Sequence, residues 1–109
     1  MIDEQGNIKL IDFAMAEKLQ SESEEIEAKE AKNISYLAPE IIRRDSGFTI
    51  ASDWWAVGVI MFQLVLGYKP FKDKHSIAKD KVEFPNRDRK PHSDSFKDLI
   101  KQLLDKNPR

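Results

Sequence analysis

The feature that most constrains this chain is the nearly unbroken apolar run WWAVGVIMFQLVL at residues 54–66. Apolar residues occupy nearly every face of the helix that this run predicts, so we expect the helix to be surrounded by other protein. The run is interrupted by Gly58 and Gln63, and it is shorter than the roughly 20 residues that a membrane-spanning helix needs. The sequence therefore predicts a buried helix, with Ser52 or Asp53 as its N-cap.

Composition and charge exclude several classes of protein. The chain has 109 residues, which fits one small domain, and 40% of them are hydrophobic and 34% charged. The formal net charge of −1 gives the chain no overall attraction to nucleic acid or to anionic membranes. There are no cysteines, so disulfides and thiolate zinc sites are excluded. His75 and His92 lie among polar residues without metal-ligand spacing, which predicts surface positions.

Two further helices are predicted on the C-terminal side. Pro39 suits the first turn of a short helix. A later helix is indicated by apolar residues that recur on one face, namely Phe96, Leu99, Ile100, Leu103 and Leu104. Ser95 with Asp98 resembles a capping box at the start of this later helix.

The N-terminal part has a different pattern. The segment IKLI at residues 8–11 has strand character and follows EQGN, which is typical of a turn, so residues 1–11 predict a hairpin. Residues 17–30 contain six glutamates and two lysines with little apolar content to bury. This second segment therefore predicts a mobile, acidic loop.

Five short motifs follow one another in a fixed order. They are DFA at 12–14, APE at 38–40, SDWWAVGV at 52–59, GYKPF at 67–71 and LLDKNP at 103–108. In this order and spacing they resemble the C-terminal lobe of a eukaryotic protein kinase, from the metal-binding turn onward. YLAPE and DWW are similar to serine/threonine kinases, and the paired tryptophans with KVEFP at 81–85 are similar to the AGC group. The resemblance implies an α+β fragment that is mainly α, with the N-terminal lobe and catalytic loop absent.

The resemblance also divides the chain and implies a nucleotide site. Residues 1–11 would be a remnant of a strand hairpin, 12–40 the activation segment and 41–109 the helical lobe. Asp12 would bind the Mg²⁺ that bridges the phosphates of ATP, while Met1 and Ile11 would line the adenine pocket. A carboxylate is a hard ligand that suits a hard cation. The alternative for Asp12 is an exposed aspartate that ends a strand.

The two residues after Asp12 carry different expectations. By resemblance, Phe13 packs under a helix of the N-terminal lobe; a plain core phenylalanine would be equally buried. Ala14 stands where the family has glycine. Alanine keeps the amide hydrogen but disfavours positive φ by roughly 1 kcal/mol or more. We therefore expect the metal ligand to be intact and switching of the turn to be restrained.

Three positions are implied to support the catalytic loop and the lobe. Lys32-Asn33 stands where the family has Gly-Thr, whose threonine hydrogen-bonds to the catalytic aspartate; Asn33 retains a donor for this bond. Asp53 would steady the backbone of the catalytic loop. Glu40 would pair with an arginine late in the lobe.

Serines of the activation segment are candidate phosphorylation sites, because an added phosphate can order such a loop against arginines. These serines are Ser21, Ser23 and Ser35. Solvated loop serines are the alternative, and the neighbouring glutamates are a possible substitute for phosphate.

The activity that the resemblance implies is transfer of the ATP γ-phosphoryl group to serine or threonine hydroxyls of a protein substrate, in the cytoplasm of the cell. The sequence contains no glycine-rich loop and no His-Arg-Asp, so we expect the isolated chain to be inactive, and unstable or self-associating.

Its partners would be ATP, a protein substrate and the N-terminal lobe of the same parent chain, without nucleic acid or a membrane segment. The alternatives are a pseudokinase or scaffold module and the non-functional product of a truncated gene. Translation of the nucleotide sequence upstream of Met1 would distinguish them.

Overall fold

The structure, a computed structural model, describes residues 1–22, 24–27, 33–85 and 92–107. These ranges form one short 3-10 helix and four α-helices: the 3-10 helix Ile34–Tyr36, α1 Pro39–Arg43, α2 Ile50–Leu66, α3 Lys74–Lys79 and α4 Asp94–Leu103. Within the same ranges, β pairing is limited to two isolated antiparallel bridges, Ile2 with Ile8 and Ile26 with Phe48. The prediction of a mainly helical chain is thus confirmed. No helix in these ranges is both long and apolar enough to cross a bilayer.

Helix α2 begins earlier than the sequence pattern predicts. Its N-cap is Thr49, so the prediction of Ser52 or Asp53 as the cap is wrong. The Thr49 N–H donates to Ser52 Oγ at 3.2 Å, and the Ser52 N–H donates to the Thr49 carbonyl at 3.1 Å. This pair of bonds satisfies backbone groups at the helix end. Ser52 and Asp53 consequently lie inside the first turns of the helix.

Helix α4 also begins at a different cap. Ser93 Oγ accepts a hydrogen bond from the Phe96 N–H at 3.2 Å, so Ser93 is the N-cap and the predicted box of Ser95 with Asp98 is wrong. The Asp98 carboxylate instead accepts from Gln102 Nε2 at 2.7 Å, one turn further along the helix. The predicted apolar face is largely correct: Ile100 and Leu104 are buried, Phe96 and Leu103 are half-buried, and Leu99 is exposed.

The hydrophobic core is built around one face of α2. Its buried members are Ala38, Ile41, Trp55, Val59, Phe62, Phe71, Ile77, Ile100 and Leu104. All of them lie between residues 38 and 104, and residues 1–22 contribute no buried side chain. The core therefore belongs to the helical part of the chain, and the N-terminal residues lie against it or outside it.

Gly58 allows α2 and α4 to approach closely. A Cβ atom at this position would lie 2.9 Å from Leu103 Cβ and 3.0 Å from Leu104 Cδ2. The contact with Leu103 Cβ is shorter than a Cβ atom makes in proteins, and the contact with Leu104 Cδ2 is tight, so a larger residue would push α4 away from the core. The glycine that interrupts the apolar run is thus required for packing.

Part of the acidic segment is anchored, which corrects the prediction of a wholly mobile loop. Ile26 and Phe48 exchange two backbone hydrogen bonds of 2.9 and 2.7 Å. The Gly47 N–H donates to Glu25 Oε2 at 3.2 Å, and a Cβ on Gly47 would lie 2.3 Å from the Ile26 carbonyl oxygen. Only glycine permits this approach, so the two segments are joined by backbone geometry. Ser23 and residues 28–30 of the predicted loop lie outside the described residues.

The opposite face of α2 is exposed, as expected if the protein that surrounds this helix is not all within the described residues. Leu64 has 80% of its surface exposed, and large parts of Trp54, Ile60 and Val65 are also exposed. The helices of this chain thus cover only one side of α2.

Lys106 connects several of these elements. Its ammonium lies 3.6 Å from the ring centroid of Phe71 and 4.7 Å from that of Trp55, and the two rings are stacked at 5.6 Å. It also donates to the Ile77 carbonyl at 2.8 Å. The Lys106 carbonyl in turn accepts from an Arg43 guanidinium nitrogen at 3.2 Å. The turn that follows α4 is therefore fixed to α1, α2 and α3.

We predict that residues 1–109 associate in solution through the exposed face of α2. Covering one leucine side chain is worth about 1.5–3 kcal/mol, so several on one face favour association. We expect a molecular mass above the monomer mass of 12.6 kDa in light scattering. Leu64→Glu should shift the distribution toward monomer. Ser95→Glu, which adds the same charge at an exposed polar position, should leave it unchanged. A monomer that unfolds in one sharp transition would contradict the prediction and favour a self-sufficient binding module.

We also predict that the free energy of unfolding depends on pH through Lys106. Burial lowers the pKa of Lys106 to about 8 from an ordinary 10.5, with Asp80 acting in the opposite direction and Arg43 in the same direction. Between pH 8 and 10.5 the unfolded chain holds a proton that the folded chain has released, so this group makes the chain more stable as pH rises. Urea unfolding of the wild type and Lys106→Met across this range measures the effect. A constant difference between the two proteins would contradict it.

Candidate active-site turn and activation segment

A hairpin turn precedes the candidate metal ligand. The Met1 ammonium donates to the Lys9 carbonyl at 3.0 Å, and the Lys9 N–H donates back to the Met1 carbonyl at 2.9 Å. The Asp3 carboxylate accepts from the N–H groups of Asn7 and Gln5, and these bonds, chiefly the one from Asn7, lower the pKa of Asp3. Asp3 thus closes the turn, and the chain leaves it toward Asp12.

The turn at Asp12 has an unusual backbone. Asp12 has φ +61°, and the other non-glycine residue with positive φ among the described residues is Arg44. Directly after it, the Ala16 N–H donates to the Phe13 carbonyl at 3.0 Å and closes a tight turn. Ala14 lies within this turn without a positive φ. The left-handed backbone is therefore at the aspartate and not at the alanine.

The residues beside Asp12 are exposed. Phe13 has 67% of its surface exposed, so the described residues of this chain do not bury it. Met1 and Ile11 are exposed as well. The structure therefore leaves this apolar group without cover from residues 38–104, where the core lies.

Asp12 fits a metal ion only as one ligand of a larger set. Its carboxylate belongs to an exposed residue at the surface turn. Across the described ranges, no three histidine, aspartate or glutamate side chains are grouped so that they could hold a metal ion. An ion bound at Asp12 would take its other ligands from phosphates, water or residues elsewhere.

The end of the predicted activation segment is ordered by side chains. Asn33 caps the 3-10 helix, because its Oδ1 accepts from the Ser35 N–H at 3.3 Å. Lys69 Nζ donates to Ser35 Oγ at 3.0 Å and lies 5.1 Å from the ring centroid of Tyr36. The Tyr36 hydroxyl donates to Gln63 Oε1 of α2 at 3.2 Å. These contacts attach the segment to α2 and to the turn that follows it.

Glu40 is a buried carboxylate, with only 4% of its surface exposed. Ser52 Oγ donates to Glu40 Oε1 at 3.1 Å. Burial of a charged group is costly unless it is hydrogen-bonded or paired. The serine satisfies one carboxylate oxygen and ties α1 to the first turn of α2.

Two clefts flank the start of α2. A cleft of about 410 Å³ is lined by Glu40, Ala51, Trp54, Trp55, Gln102, Leu103, Asp105 and Asn107. Trp55 Nε1 is buried and has no hydrogen-bond partner among the described residues. The second cleft, of about 320 Å³, is lined by Met15, Ala16, Glu17, Leu19, Ile26, Glu27, Phe48, Thr49 and Asp53. This second cleft brings Asp53 beside the predicted activation segment.

The remaining sequence-predicted residues lie as follows. Ser21 and Asp53 are exposed. Ser23 lies outside the described residues, as does Lys32. His75 is exposed as predicted, and His92 is half-buried, with its ring 5.7 Å from that of Phe96.

Sequence reasoning missed the contacts that depend on tertiary structure. Two such contacts join residues that are far apart in the chain. Lys106 lies against the rings of Trp55 and Phe71, and Lys69 contacts Ser35. The motif DKNP marks the position of Lys106, but no local pattern indicates which rings it contacts.

Comparisons with known proteins agree with these motifs. A sequence profile of the protein kinase domain matches residues 1–109. Developmentally-regulated protein kinase 1 of Dictyostelium discoideum is 36% identical over 114 residues, which cover 99% of this chain and 15% of that protein. The human cAMP-dependent protein kinase catalytic subunit PRKX is 37% identical over 111 residues, 95% of this chain and 28% of that protein. CBL-interacting serine/threonine-protein kinase 15 of Arabidopsis thaliana is 34% identical over 115 residues, 99% of this chain and 26% of that protein.

The chain belongs to the protein kinase domain family. The prediction of an AGC-like serine/threonine kinase is confirmed at the level of the family, since PRKX is an AGC member and the Arabidopsis relative is named a serine/threonine kinase. The chain spans less than a third of the length of each of these three relatives.

Proposed function

We propose that the chain is part of the C-terminal lobe of a serine/threonine protein kinase, from the metal-binding turn onward. The proposed reaction of the whole protein is transfer of the γ-phosphoryl group of ATP to serine or threonine hydroxyls of a protein substrate, in the cytoplasm. The observation that carries the proposal is Asp12, an exposed aspartate with a left-handed backbone at a tight turn, followed in kinase order by four further motifs. Strained backbone of this kind is concentrated at functional sites.

In this proposal the residues of the turn bind the nucleotide. Asp12 supplies one carboxylate to Mg²⁺, and Met1 and Ile11 contribute apolar surface to the adenine pocket. Bound Mg²⁺ would neutralise negative charge on the phosphates of ATP. The exposure of these side chains supports such a role, because a nucleotide and an N-terminal lobe would cover them. Phe13 then packs under that lobe, and residues 1–11 are its hairpin connection.

The activation segment extends from Asp12 to Glu40 in this proposal. Asn33 and Asp53 support the catalytic loop, and the contacts of the 3-10 helix hold the end of the segment against α2. Glu40 pairs with an arginine that enters the cleft of about 410 Å³. The hydrogen bond from Ser52 is made to Oε1 of this carboxylate, and in this proposal the arginine binds Oε2.

The isolated 109 residues are proposed to be inactive. Kinase chemistry requires a catalytic aspartate as base and a lysine that anchors the phosphates, and the sequence contains neither of their motifs. A pseudokinase or scaffold module is the second candidate. It is favoured by the exposed face of α2, which is suited to binding another protein, and by Lys32-Asn33 in place of Gly-Thr. Residues upstream of Met1 distinguish the two, because an active kinase needs His-Arg-Asp and an asparagine there.

The proposal predicts the effect of removing the charge of Asp12. In the complete protein, Asp12→Asn should reduce phosphoryl transfer by orders of magnitude, because a neutral amide holds Mg²⁺ poorly. The thermal unfolding temperature should change little, since the residue is exposed. Glu4→Gln, which removes a carboxylate from an exposed turn of the same hairpin, should keep wild-type activity. Turnover that is unchanged by Asp12→Asn would overturn the assignment of Asp12.

A separate prediction concerns Ala14. Because the left-handed backbone is at Asp12 and the metal ligand is present, restoring glycine at position 14 should change kcat and KM of the complete protein only about two- to threefold, within about 1 kcal/mol. Kinetics of Ala14→Gly beside the wild type measure this. Conversion of an inert protein into an active one by this substitution would show that the alanine disables the turn.

A further inference from the structure

Lys69 is a cation held against the 3-10 helix Ile34–Tyr36. Its Nζ donates to Ser35 Oγ at 3.0 Å and lies 5.1 Å from the ring centroid of Tyr36. Lys69, Ser35 and Tyr36 are all half-buried, so packing and not only side-chain freedom sets the place of the ammonium. An ammonium has three N–H donors, and the serine hydroxyl accepts from one of them. The other donors are suited to an oxygen atom that approaches from outside the chain.

The charge of this ammonium is not balanced by the groups around it. The other side chains that bond to the 3-10 helix are neutral: Asn33 accepts from the Ser35 N–H, and Gln63 accepts from the Tyr36 hydroxyl. In the part of the chain that the structure describes, no carboxylate forms an ion pair with Lys69. A partly buried cation without an anionic partner favours the binding of an anion.

The turn that carries Lys69 adds to the positive charge of this surface. Residues 67–75 contain three lysines and one aspartate. The carboxylate of that aspartate, Asp73, accepts from the Ser76 N–H at 2.8 Å at the start of α3, and this bond lowers the pKa of Asp73. Asp73 is therefore engaged as a helix cap. An anionic group that approaches the turn meets a net positive charge.

We propose that Lys69 selects protein substrates that carry a glutamate or aspartate a few residues from the hydroxyl that is phosphorylated. This inference rests on the proposed function, in which Asn33 supports the catalytic loop. Asn33 bonds to Ser35, and Ser35 bonds to Lys69, so two hydrogen bonds connect the ammonium to Asn33. Since an extended chain advances about 3.3–3.6 Å per residue, a side chain about two to five positions from the reacting serine reaches Lys69.

The selection follows from the charge of the ammonium. A substrate carboxylate would accept a charge-assisted hydrogen bond from Lys69 Nζ, which is stronger than a bond between neutral groups. A lysine or arginine of the substrate at the same position would be repelled by a like charge. A single side chain thus favours acidic substrates and rejects basic ones.

Phosphorylation of a peptide library by the complete protein tests the proposal. Each peptide has one serine among neutral residues and a single glutamate, placed in turn at each position on either side of the serine; glutamine at the same position is the reference. We expect one position at which glutamate raises kcat/KM roughly tenfold, chiefly through KM. Lys69→Gln should abolish this preference, and Lys69→Arg should retain it.

A reversed charge and a matched control make the result decisive. Lys69→Glu should prefer lysine at the position where the wild type prefers glutamate, and a gained preference cannot result from loss of the fold. Lys72→Gln removes the same charge from an exposed side chain of the same turn and should keep the preferred position. An equal loss of the preference in Lys72→Gln would overturn the assignment to Lys69.

Failure of this inference differs from failure of the proposed function. Peptides that are phosphorylated with the same preferences by the wild type and by Lys69→Gln would overturn the role of Lys69 and leave the kinase activity established. A complete protein that phosphorylates no peptide of the library would overturn the proposed function, and this inference with it.

Discussion

The helical part of this chain depends on the contact of the Lys106 side chain with the rings of Phe71 and Trp55. The stacked rings attract the ammonium and the Ile77 carbonyl accepts a hydrogen bond from it, but burial disfavours the charge and lowers the pKa of Lys106. The side chain therefore holds the helices through packing and this hydrogen bond more than through its charge. Since Trp55 belongs to α2 and Ile77 to α3, one side chain fixes two helices relative to each other. Arg43 completes the arrangement from α1 by donating to the Lys106 carbonyl. The core that these helices enclose therefore depends on a residue beyond the last helix.

The sequence predicts the positions of the helices well, and it predicts their N-caps and the contacts between them poorly. The apolar run 54–66 and the apolar face of α4 are consequences of side-chain burial, which leaves a periodic signal in the sequence. The predicted N-caps were wrong because Thr49 and Ser93 stand near other serines and aspartates that cap helices equally well. The path of the chain decides which of these residues is the cap. Motif order selects Asp12 and Glu40 as candidates, but the burial of Glu40 beside Ser52 depends on how α1 meets α2.

The exposure of α2 shows why a pattern that is apolar all round does not imply burial within the same chain. Trp55 and Trp54 are neighbours in sequence, yet Trp55 is in the core and Trp54 is largely exposed. The spacing of apolar residues identifies the apolar faces of a helix, and it does not identify which part of a protein covers them. The same holds for Phe13 beside the candidate metal ligand. The two exposed apolar regions, one on α2 and one at the turn, are therefore the surfaces through which this chain is expected to contact other protein.

Two residues other than glycine have a left-handed backbone in the described part of the chain, and their surroundings differ. Arg44 ends α1, and its N–H donates to carbonyls of that helix, so the helix end accounts for its positive φ. Asp12 ends no helix, and its side chain is exposed. A left-handed backbone costs a residue other than glycine about 1–2 kcal/mol, less for aspartate, whose short polar side chain tolerates the conformation. Packing within residues 38–104 does not recover this cost at Asp12, which lies outside the core. Left-handed backbone at a residue other than glycine is concentrated at functional sites, and this supports the proposed role of Asp12 at a nucleotide site.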